Sequence, residues 1–444
     1  MQIWIRNVLY ACVLAAFSPL LLVKTWKRRN QTAENGDSAH AARSSWRDKL
    51  LGVSLAQDAG DDSSSRIWLH GVSVGEVHLL RPLATKLLER NPQAKIFLST
   101  TTRTGMQVAR ASFPSNVTLF YFPLDFSWAI RRTIRSIRPD LLVLGELEIW
   151  PNLMAICHKR AVPVVVVNGR LSDKSYRGYQ RFSWLVKPVF ANITQVCAQT
   201  EQYAERFVAC GTPNDRVVVT GSMKFDNVKF DVLGMQAMAF RQMLGAAEDD
   251  RIIVAGSTQV EEETAILDAY AKLVERHPGL KLIVVPRHPE RFDAAADLIQ
   301  TSGLRWHRRS ALSAEGSSPV ASDWQVLLVD TLGELSSWWA LAEIALVGGT
   351  FGARGGQNMI EPSAYGCNVV FGPRTENFRD VVSLLHASDA ATQLSDTSEL
   401  LDWLNEQLNT PQPGRTRGQN AIALVKSQQG AMDRTIEVLS HHAS

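Results

Sequence analysis

From Arg66 onward, short apolar runs recur along the chain with helix-period stretches between them. In the first half they fall at 67–70 (IWLH), 95–100 (KIFLST), 117–123 (VTLFYFP), 140–146 (DLLVLGE), 163–169 (PVVVVNG) and 194–199 (TQVCAQ). The runs are continuous, not alternating, which predicts strands buried on both faces of a parallel sheet, with the helices as crossovers. A polar, helix-prone stretch at 225–250 precedes a second series: 251–257 (RIIVAGS), 281–287 (KLIVVPR), 325–330 (QVLLVD), 344–349 (IALVGG) and 368–373 (NVVFGP). The pattern predicts an α/β chain of two doubly wound, Rossmann-like units, 66–225 and 251–410, with a linker at 226–250 and C-terminal helices at 411–444. Two such sheets facing each other imply a central ligand cleft between them.

The N-terminal pattern is different. Val8 to Val23 is apolar except for Ser18, a run of 16 residues, or 21 from Ile3 if Arg6 and Asn7 are tolerated. That length suffices to cross a hydrocarbon core of about 30 Å. Lys24, Lys27, Arg28 and Arg29 follow directly, where a cleaved signal would carry a small-x-small site. The reading is an uncleaved membrane anchor over 1–30, with the positive flank placing the rest of the chain in the cytoplasm; an interfacial helix is the alternative. Residues 31–65 are polar around an amphipathic WRDKLLG, a tether with one short docking helix.

At 444 residues two sizeable domains are expected. Lys plus Arg number 47 and Asp plus Glu 44, a net charge of +3 too small for a dedicated nucleic-acid binder. The five cysteines form no CxxC, which argues against zinc, redox and disulfide frameworks. GxxxxGK[ST], GxGxxG and HExxH are all absent, and no solenoid repeat occurs.

The candidate chemistry sits where predicted strands end. Glu76, in His70-Gly-Val-Ser-Val-Gly-Glu76, falls in the first turn of a helix, where it either complements the dipole or serves as a general base facing the cleft. Glu146 and Glu148 share a face if the strand through them continues; alternatively they cap the helix from Pro151. Lys224 is either a solvated linker lysine or a cation for a leaving phosphate. In the second half, Gly256-Ser-Thr258, Pro286-Arg-His288 and the glycine loop before Glu361 offer backbone amides for phosphate. Arg287 suits an anion, and Glu361 a ribose diol. Arg131, Arg135 and Arg138, and then Arg170, Lys174, Arg177 and Arg181, have helical spacing: solvated faces, or contacts to lipid phosphates.

Together, HGVSVGE, ELEIWPN, NGRLSDKS, TGSMKFD, PRHPERF, DTLGEL and GGTFGARGGQNMIEP resemble, in order and spacing, the Kdo (3-deoxy-D-manno-octulosonic acid) transferases of lipopolysaccharide assembly, a GT-B glycosyltransferase family. The likeness runs over essentially the whole chain. It implies a GT-B fold and inverting transfer of Kdo from CMP-Kdo to a lipid A precursor, lipid IVA, with no metal and no other cofactor. The implied partners are CMP-Kdo, the lipid A precursor and inner-membrane lipids, and no nucleic acid, with the catalytic units on the cytoplasmic face of the inner membrane. The family's general base maps onto Glu76 and its transition-state stabilisers onto Glu146 and Lys224. Its CMP contacts map onto Pro286 and Arg287, onto Leu332, Gly333 and Glu334, and onto Asn358, Met359, Ile360 and Glu361. Gln357 departs from the family's common His; it keeps hydrogen bonding but cannot titrate. Competing expectations are a UDP-sugar donor on the same fold, or a membrane-tethered binding protein without turnover.

Overall fold

The computed structural model describes residues 7–8, 10–12, 47–55, 64–228, 230–312 and 324–442. The predicted anchor and tether lie largely outside the described residues; of the parts described, 7–8, 10–12 and 47–51 are helical, and 52–55 and 64–65 are not. Among the described residues no helix is long and apolar enough to cross a membrane.

The chain forms two compact units. The first carries β1 (Arg66–His70), β2 (Lys95–Thr100), β3 (Thr118–Tyr121), β4 (Leu141–Gly145), β5 (Val164–Gly169), β6 (Gln195–Ala198) and β7 (Val217–Val219), in the order β3-β2-β1-β4-β5-β6-β7. Every pair is parallel. The order reverses between β1 and β4, so the loops leaving these two strands diverge to opposite faces and open a crevice at their carboxyl ends. The central strands need this burial: Leu141 to Leu144 and Val165 to Val167 are fully covered by helices, each side chain contributing about 1.5–3 kcal/mol on removal from water.

The second unit holds β8 (Arg251–Thr258), β9 (Leu280–Pro286), β10 (Trp306–Arg308), β11 (Val326–Leu328), β12 (Ile344–Val347), β13 (Asn368–Phe371) and β14 (Ala391–Gln393). Their order is β10-β11-β9-β8-β12-β13-β14, again all parallel. Here the reversal falls between β8 and β12.

Three strands have no counterpart in the sequence pattern: β7, β10 and β14. All are three-residue edge strands, partly exposed, so none carries the long apolar run that burial on both faces produces.

Two boundaries also differ from the sequence division. The stretch read as a linker, 226–250, belongs to the second unit, which begins at Phe225. It contains a helix, Phe230–Met243, because Phe225, Val228, Phe240 and Leu244 are core residues, Phe240 stacking on Trp338 at 4.2 Å. The C-terminal segment 411–444 divides at Gly430. Helix Ala431–Ser440 returns to the first unit, burying Met432, Ile436 and Leu439 beside the helix Val74–Arg90. Lys86 pairs with Asp433, and Arg434 Nε donates to the Thr220 carbonyl at 2.9 Å.

Candidate active site

The turn leaving β1 is built around Glu76. Ser73 is the N-cap of helix Val74–Arg90, its Oγ accepting from the Glu76 amide at 3.3 Å. The carboxylate reaches back: Oε2 accepts from the Val72 amide at 2.7 Å and Oε1 from Ser73 Oγ at 2.7 Å. Glu76 therefore does cap its helix, the modest role open to any first-turn glutamate, and the same bonds fix its carboxylate at the carboxyl end of β1. Burial pushes its pKa above the ordinary range, the Val72 and Ser73 hydrogen bonds oppose the shift, and Glu146 adds to it.

On the other side of the strand reversal, β4 ends at Gly145. Glu146 turns the chain with a left-handed φ of 54°, so Glu146 and Glu148 do not continue the strand as the sequence reading supposed. Nor do they cap the helix Pro151–Lys159. That task falls to buried Asp125, whose carboxylate accepts from the Asn152 and Leu153 amides at 2.8 Å each. Both glutamates are thus left for the crevice. Lys224 Nζ lies 3.6 Å from Glu146 Oε1, each side chain about a quarter exposed. The lysine is not a solvated linker residue: the Met223 amide before it donates to Oδ1 of buried Asn168 at 3.1 Å. Asn168, next to last in β5, has a left-handed φ of 53°, a conformation that asparagine tolerates better than most residues.

Glu148 was singled out in the sequence only as a neighbour of Glu146. Trp150 Nε1 donates to its Oε2 at 3.1 Å. Burial first, then the charges of Glu76 and Glu146, push its pKa up to about 7 against the Trp150 bond. His70, fully buried at the end of β1, places Nε2 4.0 Å from the same oxygen. A polar residue ending an apolar strand run is the signal that points to His70.

In the second unit the same construction recurs at β8 and β12. Buried Glu262 accepts from the Thr350 and Phe351 amides at 3.1 and 3.0 Å through Oε1, and from Gln259 N at 2.8 Å through Oε2. It seats the glycine loop against the turn after β8. Pro286 ends β9 and Arg287 is exposed, its amide donating to Thr258 O at 3.1 Å. Glu334 is occupied: Arg309 grips it with bonds of 2.9 and 3.0 Å, and Thr331 Oγ1 donates at 2.7 Å. Its carboxylate fixes the loop, which leaves exposed Leu332 and Gly333, φ 84°, to present backbone to a ligand. Met359 and Ile360 point into the core, so only their main chain is available. Glu361 accepts from Asn358 Nδ2 at 2.9 Å and Ser336 Oγ at 2.8 Å.

The basic series are shorter than their spacing suggested. Arg138 is the left-handed residue that ends helix Ser127–Ile137, and Arg170 precedes helix Asp173–Arg181. Lys174, Arg177 and Arg181 do project from that helix, beside exposed Phe182 and Trp184.

Two doubly wound α/β units, each with its polar constellation at the carboxyl ends of the strands flanking the reversal, define a glycosyltransferase-like architecture of two Rossmann-type units. A UDP-N-acetylglucosamine 2-epimerase from Neisseria meningitidis, bound to UDP-GlcNAc, shares this fold with a TM-score of 0.54 at 14% identity, over 84% of this chain and 99% of that one. Residues 26–227 match the family model for 3-deoxy-D-manno-octulosonic-acid transferase (kdotransferase). The 3-deoxy-D-manno-octulosonic acid transferase of Bordetella pertussis is 32% identical over 97% of this chain and 98% of its own length. That of Haemophilus influenzae is 32% identical over 84% and 86%. The chain belongs to the Kdo transferase family, glycosyltransferases of lipopolysaccharide biosynthesis.

Proposed function

We propose that this chain transfers Kdo from CMP-Kdo to a lipid A precursor, lipid IVA, at the cytoplasmic face of the inner membrane, without a metal and with inversion at the anomeric carbon. Glu76 takes the proton of the acceptor hydroxyl as its oxygen bonds to the anomeric carbon. The bond from that carbon to the CMP phosphate oxygen breaks on the opposite side, its electron pair leaving with CMP. Lys224, held beside Glu146, offsets the charge that develops. Arg287 and the main chain at Leu332–Gly333 and Asn358–Glu361 hold the nucleotide.

The observation that carries this reading is the Glu76 carboxylate, fixed at both oxygens at the end of β1, with its pKa raised by burial toward that of a working base. Detergent-solubilised protein incubated with CMP-Kdo and a tetraacylated, phosphorylated glucosamine disaccharide should yield the Kdo adduct by mass spectrometry, and CMP should inhibit where UDP does not. Inhibition by UDP alone would move the donor assignment to a UDP-sugar.

The lipid-facing part of the proposal rests on Lys174, Arg177 and Arg181 beside exposed Phe182 and Trp184. Reversing charge at Arg177 and Arg181 together is expected to weaken binding to anionic vesicles by about 30-fold or more, since losing two cations at roughly 1 kcal/mol each already removes about 2 kcal/mol. CMP affinity should stay put; equal loss of both would mean misfolding.

A further inference from the structure

Three carboxylates, Glu76, Glu146 and Glu148, meet where β1 and β4 end, and the ammonium facing them, Lys224, is paired with Glu146. Behind Glu148 lies His70, its ring stacked on Phe122 with centroids 3.9 Å apart. Its Nδ1 is 3.1 Å from the Ser99 carbonyl, which can only accept, so the ring proton is assigned to Nδ1. Ser99 Oγ, 2.9 Å from the same nitrogen, accepts from Trp68 Nε1 at 2.8 Å and has the Leu69 carbonyl at 3.4 Å for its own proton. Nε2 is then a buried lone pair with no hydrogen-bond partner among the described residues, and Glu148 Oε2 faces it at 4.0 Å. A carboxylate oxygen there sets lone pair against lone pair; an O–H supplies what a buried acceptor lacks.

We propose that Glu148 works as a protonated carboxyl, its O–H directed to His70 Nε2 and its position fixed by the Trp150 indole, a positioning residue that keeps negative charge low around Glu76. The inference rests on the transfer reaction proposed above. The titratable and charged groups facing Glu148 are His70 from β1, Glu76 from the helix after it, Glu146 with its partner Lys224, and Tyr179 from helix Asp173–Arg181. His70 is held neutral by burial, its pKa brought down to about 3, and burial pushes the Tyr179 hydroxyl up. Near neutrality Glu148, with its pKa at about 7, changes the local charge. With it protonated, Glu146 faces its partner Lys224 and no charge on Glu148 adds to that around Glu76. With it ionised, a further negative charge stands beside Glu76 and repels a donor that carries phosphate and carboxylate.

Glu148→Gln supplies a permanent N–H donor and a carbonyl in nearly the same shape. Wild-type kcat/KM falls as pH rises through the Glu148 pKa of about 7. The variant lacks that fall, so its kcat/KM relative to wild type rises roughly 30-fold between about pH 6 and about pH 8.5, the change in protonated fraction over that interval. A second readout needs no turnover. A carboxyl whose folded pKa lies above its unfolded value gives stability that is full below the unfolded pKa and lost as pH rises through the folded one. The Tm of Glu148→Gln should therefore gain on wild type from acid to neutral pH. A flat activity ratio and a constant Tm difference overturn the proposal, as does a folded Glu148→Gln with no activity near pH 6. Should Glu148→Gln not fold, Trp150→Phe removes the N–H that favours the ionised form, and the alkaline fall moves to higher pH; an unmoved fall overturns the proposal. Activity surviving in Glu76→Gln would instead sink the general-base reading, leaving the Tm comparison to judge Glu148.

Discussion

Glu76→Gln is expected to fold and to lose about 10²- to 10⁴-fold in kcat, the range that a positioned general base supplies. The variant isolates the proton transfer because it keeps most of what Glu76 does structurally. Its amide oxygen still accepts from the Val72 amide, and Ser73 Oγ still caps the helix through the residue 76 backbone N–H. Its stability should not fall at neutral pH. The raised pKa of Glu76 means that the folded protein binds this proton more tightly than the unfolded chain does. The stability linked to it is present below the unfolded pKa and is lost as pH rises through the folded one, a loss that glutamine escapes. CMP affinity should be unchanged within about threefold, because the nucleotide contacts proposed lie in the second unit and a base acting only in the transition state leaves ground-state binding alone. Single-turnover kinetics with CMP-Kdo and the lipid acceptor measure the first quantity and titration of CMP the second. A kcat within about threefold of wild type would remove Glu76 from the chemistry.

Much of this site was readable in the sequence because the fold places functional loops by rule. An apolar run such as VVVVNG, buried on both faces, fixes a central strand; the polar motif that ends it then falls at the carboxyl edge, where doubly wound sheets bind ligands. The sequence could not tell which carboxylates are spent on structure. Glu76, Asp125, Glu262 and Glu334 each saturate backbone or side-chain donors, yet Asp125 and Glu262 carry no motif that sets them apart from ordinary acids in a helical or loop stretch. The amides of Asn152 and Thr350 that they bind lie 27 and 88 positions away, beyond any local periodicity. The same limit hid His70 and Glu148, whose meaning comes from an orphaned lone pair, and it hid the return of the last helix to the first unit, which depends on Met432 and Ile436 finding a distant apolar face. Edge strands failed for the opposite reason: three residues with one face in water leave almost no pattern.

Gly348→Ala tests how tightly the second unit's ligand loop is tied to its sheet. Gly348 follows β12 directly and donates to the Gly256 carbonyl at 2.9 Å. A β-carbon there would stand 2.5 Å from Ser257 O, 2.6 Å from Thr258 Cα and 2.7 Å from Ser257 C. These are backbone atoms at the end of β8, where Ser257 already holds a left-handed φ of 57°, so no side chain can rotate away to relieve the clash. The end of β8 and the glycine loop must separate, and the bonds that seat the loop, from the Thr350 and Phe351 amides to buried Glu262, stretch with them. Overpacking of this kind costs about 1–3 kcal/mol, and weakening hydrogen bonds to a buried carboxylate adds about 1–3 kcal/mol. For a unit of this size the sum lowers Tm by roughly 5–15 °C. The loop also carries Asn358 and Glu361, so CMP should bind more than about tenfold more weakly even well below the new Tm, as each 1.4 kcal/mol of lost loop order costs about a factor of ten. Calorimetry and CMP titration separate the two effects. A lower Tm with CMP affinity intact would show that the glycine loop holds the sheet together without touching the nucleotide.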